Sequence, residues 1–76
     1  MTVRDEALAA RIRTALGMDK RVSGLPINMR ITNGEVFLKG RADTLEQADT
    51  VQFIVSGIPG VHHVDVSELE VKEEGR

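Results

Sequence analysis

Between residues 26 and 40 the apolar side chains alternate, with Ile27, Met29 and Ile31 before the dipeptide Asn33-Gly34 and Val36 and Leu38 after it. An Asn-Gly pair between alternating runs is the strongest short-range signal for a β-hairpin, because a type I′ turn needs positive φ at both central residues. A two-residue turn also fixes the pairing. Ile31 falls opposite Val36 and Met29 opposite Leu38 on one face, with Thr32 opposite Glu35, Arg30 opposite Phe37 and Asn28 opposite Lys39 on the other. Both strands therefore agree on which face is the core, and the rest of the chain has to cover that face.

The flanking segments supply the cover. Residues 3–16 read as a helix: at 100° per residue Leu8, Ile12, Ala15 and Leu16 share one stripe, while Glu6, Arg11 and Arg13 lie outside it. Thr2 followed by Asp5 has capping-box spacing, and Gly17 stands where a left-handed C-terminal cap is expected. A second helix is predicted over residues 43–57, capped by Asp43 or Thr44 with Glu46 or Gln47 closing the box, and burying Ala48, Val51, Ile54, Val55 and Ile58. Phe53 lies about 160° around that wheel from Val51, beside Glu46 and Asp49, and is expected to face away from the sheet. Gly57, Pro59 and Gly60 end the helix.

Residues 61–72 read as a third strand in which Val64 and Val66 have one parity and Leu69 and Val71 the other. One extra residue near Ser67, a β-bulge, brings all four to one face. The order αββαβ predicts an α+β two-layer sandwich, with a three-stranded mixed sheet and both helices on one face, leaving the other face to solvent. At 76 residues the chain is one domain spanning 1–76, with an ordered core of 3–72 and a flexible tail of 73–76.

Composition excludes several chemistries. Without cysteine there is no disulfide, no thiol nucleophile and no thiolate metal site. His62 and His63 are adjacent in an extended segment and point to opposite sides, so they do not chelate one ion, and no metal or cofactor is implied. Ser23, Ser56 and Ser67 stand in no nucleophile motif, and the chain is read as a non-enzyme. Gly57-Ile58-Pro59-Gly60 has the spacing of a nucleic-acid-clamping GxxG loop, but Pro59 removes an amide, Ile58 belongs to the core stripe, and the surrounding half is acidic; nucleic acid is not the expected partner. No apolar run reaches the ~18 residues of a membrane span, and Asp5 and Glu6 stand where a signal peptide is basic and then apolar.

Charge is more informative. Residues 1–41 carry eight Lys/Arg against four acids, whereas residues 42–76 carry two against eight, so a net charge of -2 conceals a polarised chain. Such polarity suits an anionic partner or head-to-tail contact between copies. Arg30, Phe37 and Lys39 form an expected basic and apolar patch on the open sheet face, and Arg11, Arg13, Lys20 and Arg21 form a second basic candidate. Phe37 and Phe53, the only aromatics, are both expected outside the core, where Phe is enriched at interfaces.

These residues resemble the BON domain, the module named for bacterial osmotically induced and nodulation proteins. The resemblance is carried by Asp5, Leu8, Ile12 and Leu16 at helical spacing, then by Asn33-Gly34-Glu35-Val36-Phe37-Leu38-Lys39-Gly40, then by Gly60-Val61-His62-His63-Val64. The family usually shows an asparagine two residues beyond that last valine; here the position is Val66, so no role tied to the asparagine carries over. The resemblance implies a non-enzymatic binding module that attaches to phospholipid surfaces. The alternative is a protein-interaction or self-association module, with a homo-oligomer as one form. A chain complete as given is expected in the cytoplasm, and one excised from a longer protein in the periplasm or at a membrane.

Overall fold

Each helix begins on a threonine whose side chain satisfies a backbone donor that the helix itself leaves orphaned. In the computed structural model, which describes residues 2–72, Thr2 caps α1 (Val3–Met18) by accepting from Asp5 N at 3.1 Å. Thr44 caps α2 (Leu45–Ser56) through a full capping box: its hydroxyl accepts from Gln47 N at 3.1 Å, and Gln47 Oε1 accepts from Thr44 N at 3.2 Å. The Gln47 amide also donates to the Arg21 carbonyl at 3.3 Å, tying the start of α2 to the loop after α1. The expected tail of 73–76 lies outside the described residues.

The hairpin forms as its turn dictates. β1 (Ile27–Thr32) and β2 (Glu35–Ala42) pair antiparallel in the expected register, from Thr32 opposite Glu35 to Asn28 opposite Lys39. Asn33 and Gly34 take φ of 50° and 84°, the positive values that a type I′ turn requires. β3 (His63–Val71) then pairs in parallel with β2, giving the order β1-β2-β3. Both helices lie on one face of this mixed sheet: Leu8 and Ile12 of α1 and Val51 and Val55 of α2 pack with Ile31, Val36 and Leu38 in one buried cluster. Fully burying a side chain of this kind contributes about 1.5–3 kcal/mol, so a handful of them holds most of the fold.

One local expectation fails. Gly17 is not a left-handed cap; α1 continues through it to Met18, and Asp19 closes the helix with its N–H on Leu16 O at 3.3 Å. The reason lies just downstream, where Val22 N bonds Asp19 O at 3.1 Å and buried Val22 draws the chain inward. The helix therefore unwinds through a short turn rather than reversing at glycine.

The third strand carries the bulge. Phe37 pairs with Asp65 but Lys39 pairs with Glu68, so β3 spends one residue more than β2 over this step. Val64 and Val66 stay against the core, and beyond the bulge Leu69 and Val71 fall opposite Gly40 and Ala42 on the same face. Deleting Ser67 should therefore convert β3 to a regular strand without turning any apolar side chain outward. Stability measured by thermal unfolding should stay within about 1 kcal/mol of the parent, since Ser67 is exposed and its hydroxyl bonds Asp65, its neighbour on the same strand. Deletion of Lys39 from the regular β2 ladder turns buried Ala42 outward and should destabilise far more. Equal losses from the two deletions would contradict the bulge.

Candidate functional site

The open sheet face is a grid set by pairing. Arg30, Phe37 and Asp65 form one row, Asn28, Lys39 and Glu68 the next, and Arg41 with Glu70 the last. The Arg30 guanidinium lies 4.8 Å from the centroid of the half-buried Phe37 ring, a cation–π contact worth about 0.5–1 kcal/mol at an exposed site. Arg30, Phe37 and Lys39 are thus brought together as expected, but they share the shallow depression they line with Asp65 and Glu68. Arg41 reaches Glu70 at 3.7 Å. Counted over all three strands, the face holds Arg30, Lys39 and Arg41 against Glu35, Asp65, Glu68 and Glu70, and is not basic. Asp65 is held ionised, its pKa lowered by hydrogen bonds from the Ser67 hydroxyl and backbone N–H and by the charge of His63.

The second basic group divides. Arg21 is committed to Asp19, with Nε on Oδ1 at 2.9 Å and Nη2 on Oδ2 at 2.6 Å. These bonds, the Arg21 backbone N–H at 3.0 Å and the guanidinium charge hold the Asp19 carboxyl down to about 2 from the ordinary 3.8. A carboxylate with a depressed pKa adds stability that is complete above its ordinary value and is lost as pH falls through the lowered one. The clasp should therefore stay closed at pH 5 and open between about pH 4 and 2. A 13C-detected carboxyl titration should place Asp19 near 2, and Arg21→Ala should move it back toward 3.8; an unmoved midpoint would remove the guanidinium as the cause.

Arg11 and Arg13 remain free of ion pairs among the described residues, as does exposed Lys20 in the turn after α1. Arg11 and Arg4 line a groove between the first turns of α1, the Asn33-Gly34 turn and Gly60-Val61-His62, where His62 N bonds Gly34 O at 2.8 Å. On the opposite side of the molecule from the sheet's open face, the outer surface of α1 shows what the sequence reading passed over. Val3 is 85% exposed and Met18 79% exposed, and exposed Ala7, Ala10 and Thr14 connect them along one stripe. Arg4 and Arg11 border this stripe on one side, Arg13 and Glu6 on the other. The signal was present as the spacing 3, 7, 10, 14, 18, a second helical stripe opposite the buried one.

Phe53 is 77% exposed on the outer face of α2 beside Glu46 and Asp49, as expected. His62 and His63 are both exposed, and among the described residues no three His, Asp or Glu side chains converge as metal ligands. Among the described residues, no helix is long and apolar enough to cross a membrane.

No curated protein matches the chain. The family description that matches is the BON domain, over residues 4–73, which takes in both helices and all three strands. With nearly its whole length matched and its αββαβ architecture in place, the chain belongs to the BON domain family, a family of binding-type modules.

Proposed function

We propose that this domain is a non-enzymatic module that attaches to anionic phospholipid surfaces, and that the outer face of α1 makes the contact. The carrying observation is the second apolar stripe of α1, with Val3 and Met18 exposed at its two ends and Arg4, Arg11 and Arg13 along its borders without ion-pair partners among the described residues. An interfacial helix needs this arrangement: apolar side chains that enter the headgroup boundary, and cations beside them that meet lipid phosphates. The stripe is short of large side chains, so the apolar term is modest and the contact depends on charge. Each Lys or Arg near an anionic surface adds about 1 kcal/mol, which falls off within a Debye length. Arg30 and Lys39 are the weaker candidates because Asp65 and Glu68 stand beside them, and Arg21 because Asp19 holds it.

Co-sedimentation with vesicles of phosphatidylglycerol and phosphatidylcholine tests the reading. Binding should appear at low salt, weaken steeply by 0.5 M salt, and be absent on phosphatidylcholine alone; no binding to anionic vesicles at low salt would sink it. The exposed Phe53, set among acids, favours a second reading as a protein-interaction module in which a partner covers that ring.

A further inference from the structure

The open sheet face is striped by charge along its strands. Its Lys and Arg residues all lie on β1 and β2, while β3 carries Asp65, Glu68 and Glu70 and no Lys or Arg. Striping of this kind is self-complementary under one symmetry operation. A two-fold axis parallel to the strands and running between β2 and β3 turns one sheet over onto another so that β2 of each copy lies over β3 of its partner. Each row is preserved, so Lys39 faces the partner's Glu68 and Arg41 faces the partner's Glu70, twice over. Glu35 likewise meets the partner's His63, and Phe37 is covered. A two-fold axis across the strands does the opposite and lays acidic β3 upon acidic β3.

We propose that the open face is the interface of a two-fold homodimer, packed sheet on sheet with roughly aligned strands and with the helices as its outer layers. The occupant is a second copy of this chain because the charge pattern is complementary to itself in the Lys39–Glu68 and Arg41–Glu70 rows, as an isologous contact requires. Aligned sheets tolerate an angle of about 30° between strand directions, which leaves these long side chains in reach of one another. The area sets the strength. β2 and β3, the two strands that this axis overlays, have eight and nine residues and offer about 10 Å by 27 Å, about a third of the roughly 800 Å² that each partner contributes to a standard stable interface. The dimer is therefore transient, half-formed at roughly 0.1–1 mM at low salt. Charge fixes its orientation more than its affinity.

Charge reversal tests this directly, read by sedimentation velocity on the full chain from about 10 µM to 1 mM in low salt, with circular dichroism to check folding. The parent should shift from monomer toward dimer across that range, and 0.5 M salt should weaken the association by about tenfold or more. Glu68→Lys with Glu70→Lys should abolish self-association, as should Lys39→Glu with Arg41→Glu, because each sets like charges against each other in both paired rows. Mixing the two variants should restore a dimer, now a heterodimer. A single chain carrying all four reversals should recover homodimerisation; it also restores the intrachain pairing, which guards against a double variant that fails to fold. A parent that stays monomeric at 1 mM overturns the proposal. So does a dimer that survives both reversals, a mixture that stays monomeric, or a dimer dissolved by Phe53→Ser in place of the sheet substitutions.

Discussion

Gly40→Val is expected to remove a large share of the domain's stability, while Gly17→Ala raises it. Gly40 has φ of 148°, a region that side-chain-bearing residues rarely adopt, and a Cβ built there would overlap the Pro26 carbonyl oxygen and stand 2.9 Å from Ile27 Cα. Both obstacles are backbone, at the start of β1 where Pro26 O also accepts from Arg41 N at 3.3 Å, so no rotamer change relieves them. Backbone strain of about 1–3 kcal/mol and overpacking of about 1–3 kcal/mol then act together. A 76-residue domain has about 4–11 kcal/mol in hand, so the two together remove a large share of it, seen as a much lower urea midpoint. Gly17 is the opposite case: it lies inside α1 without positive φ, and an added Cβ meets nothing within 4 Å. Alanine there should add about 0.5–1 kcal/mol, seen as a higher urea midpoint with unchanged slope. A left-handed cap at Gly17 would give the reverse sign, so a loss of stability in Gly17→Ala would reinstate the cap.

That contrast marks where the sequence was legible. The hairpin register could be read because Asn33-Gly34 is a local instruction with period-2 alternation on either side, and the bulge because Val64, Val66, Leu69 and Val71 break parity within one strand. Phe53 could be placed outside because a helical wheel needs only its own residues. What failed or stayed open depended on partners distant in sequence. Gly17 has the residue type of a cap, but the downstream turn and buried Val22 decide how the helix ends. The Arg30–Phe37–Lys39 patch was read from the hairpin alone as basic; only the parallel pairing of β2 with β3, across the intervening α2, brings Asp65 and Glu68 into its rows. The basic and acidic halves of the chain consequently share one sheet face instead of forming two separate sides. On α1 the buried stripe was found and the second one was not, because alanine and threonine give little contrast on a wheel even where Val3 and Met18 end the row.

Reversing the three arginines that border that row should be the most damaging change to lipid attachment. With Arg4, Arg11 and Arg13 all replaced by glutamate, affinity for anionic vesicles at low salt is expected to fall by about 100-fold or more, since the loss of three contacts at about 1 kcal/mol each already accounts for that factor. The drop alone would not locate the contact, because six units of charge on an 8.3 kDa protein also alter its long-range attraction to any anionic surface. A charge-matched control separates the two effects. Arg30→Glu, Lys39→Glu and Arg41→Glu change the net charge equally but act on the open sheet face, where the carboxylates of β3 already stand beside them. At micromolar protein, where the domain is monomeric, the sheet variant should lose no more than about fivefold, while the α1 variant loses its binding. Salt resolves the remainder: the long-range part fades in both variants within a Debye length of about 10 Å at 0.1 M, whereas direct pairing of α1 arginines with phosphate persists in the parent until higher salt. Equal losses from the two triple variants would mean that the membrane sees only net charge, and a greater loss from the sheet variant would move the contact to the face of Arg30 and Lys39.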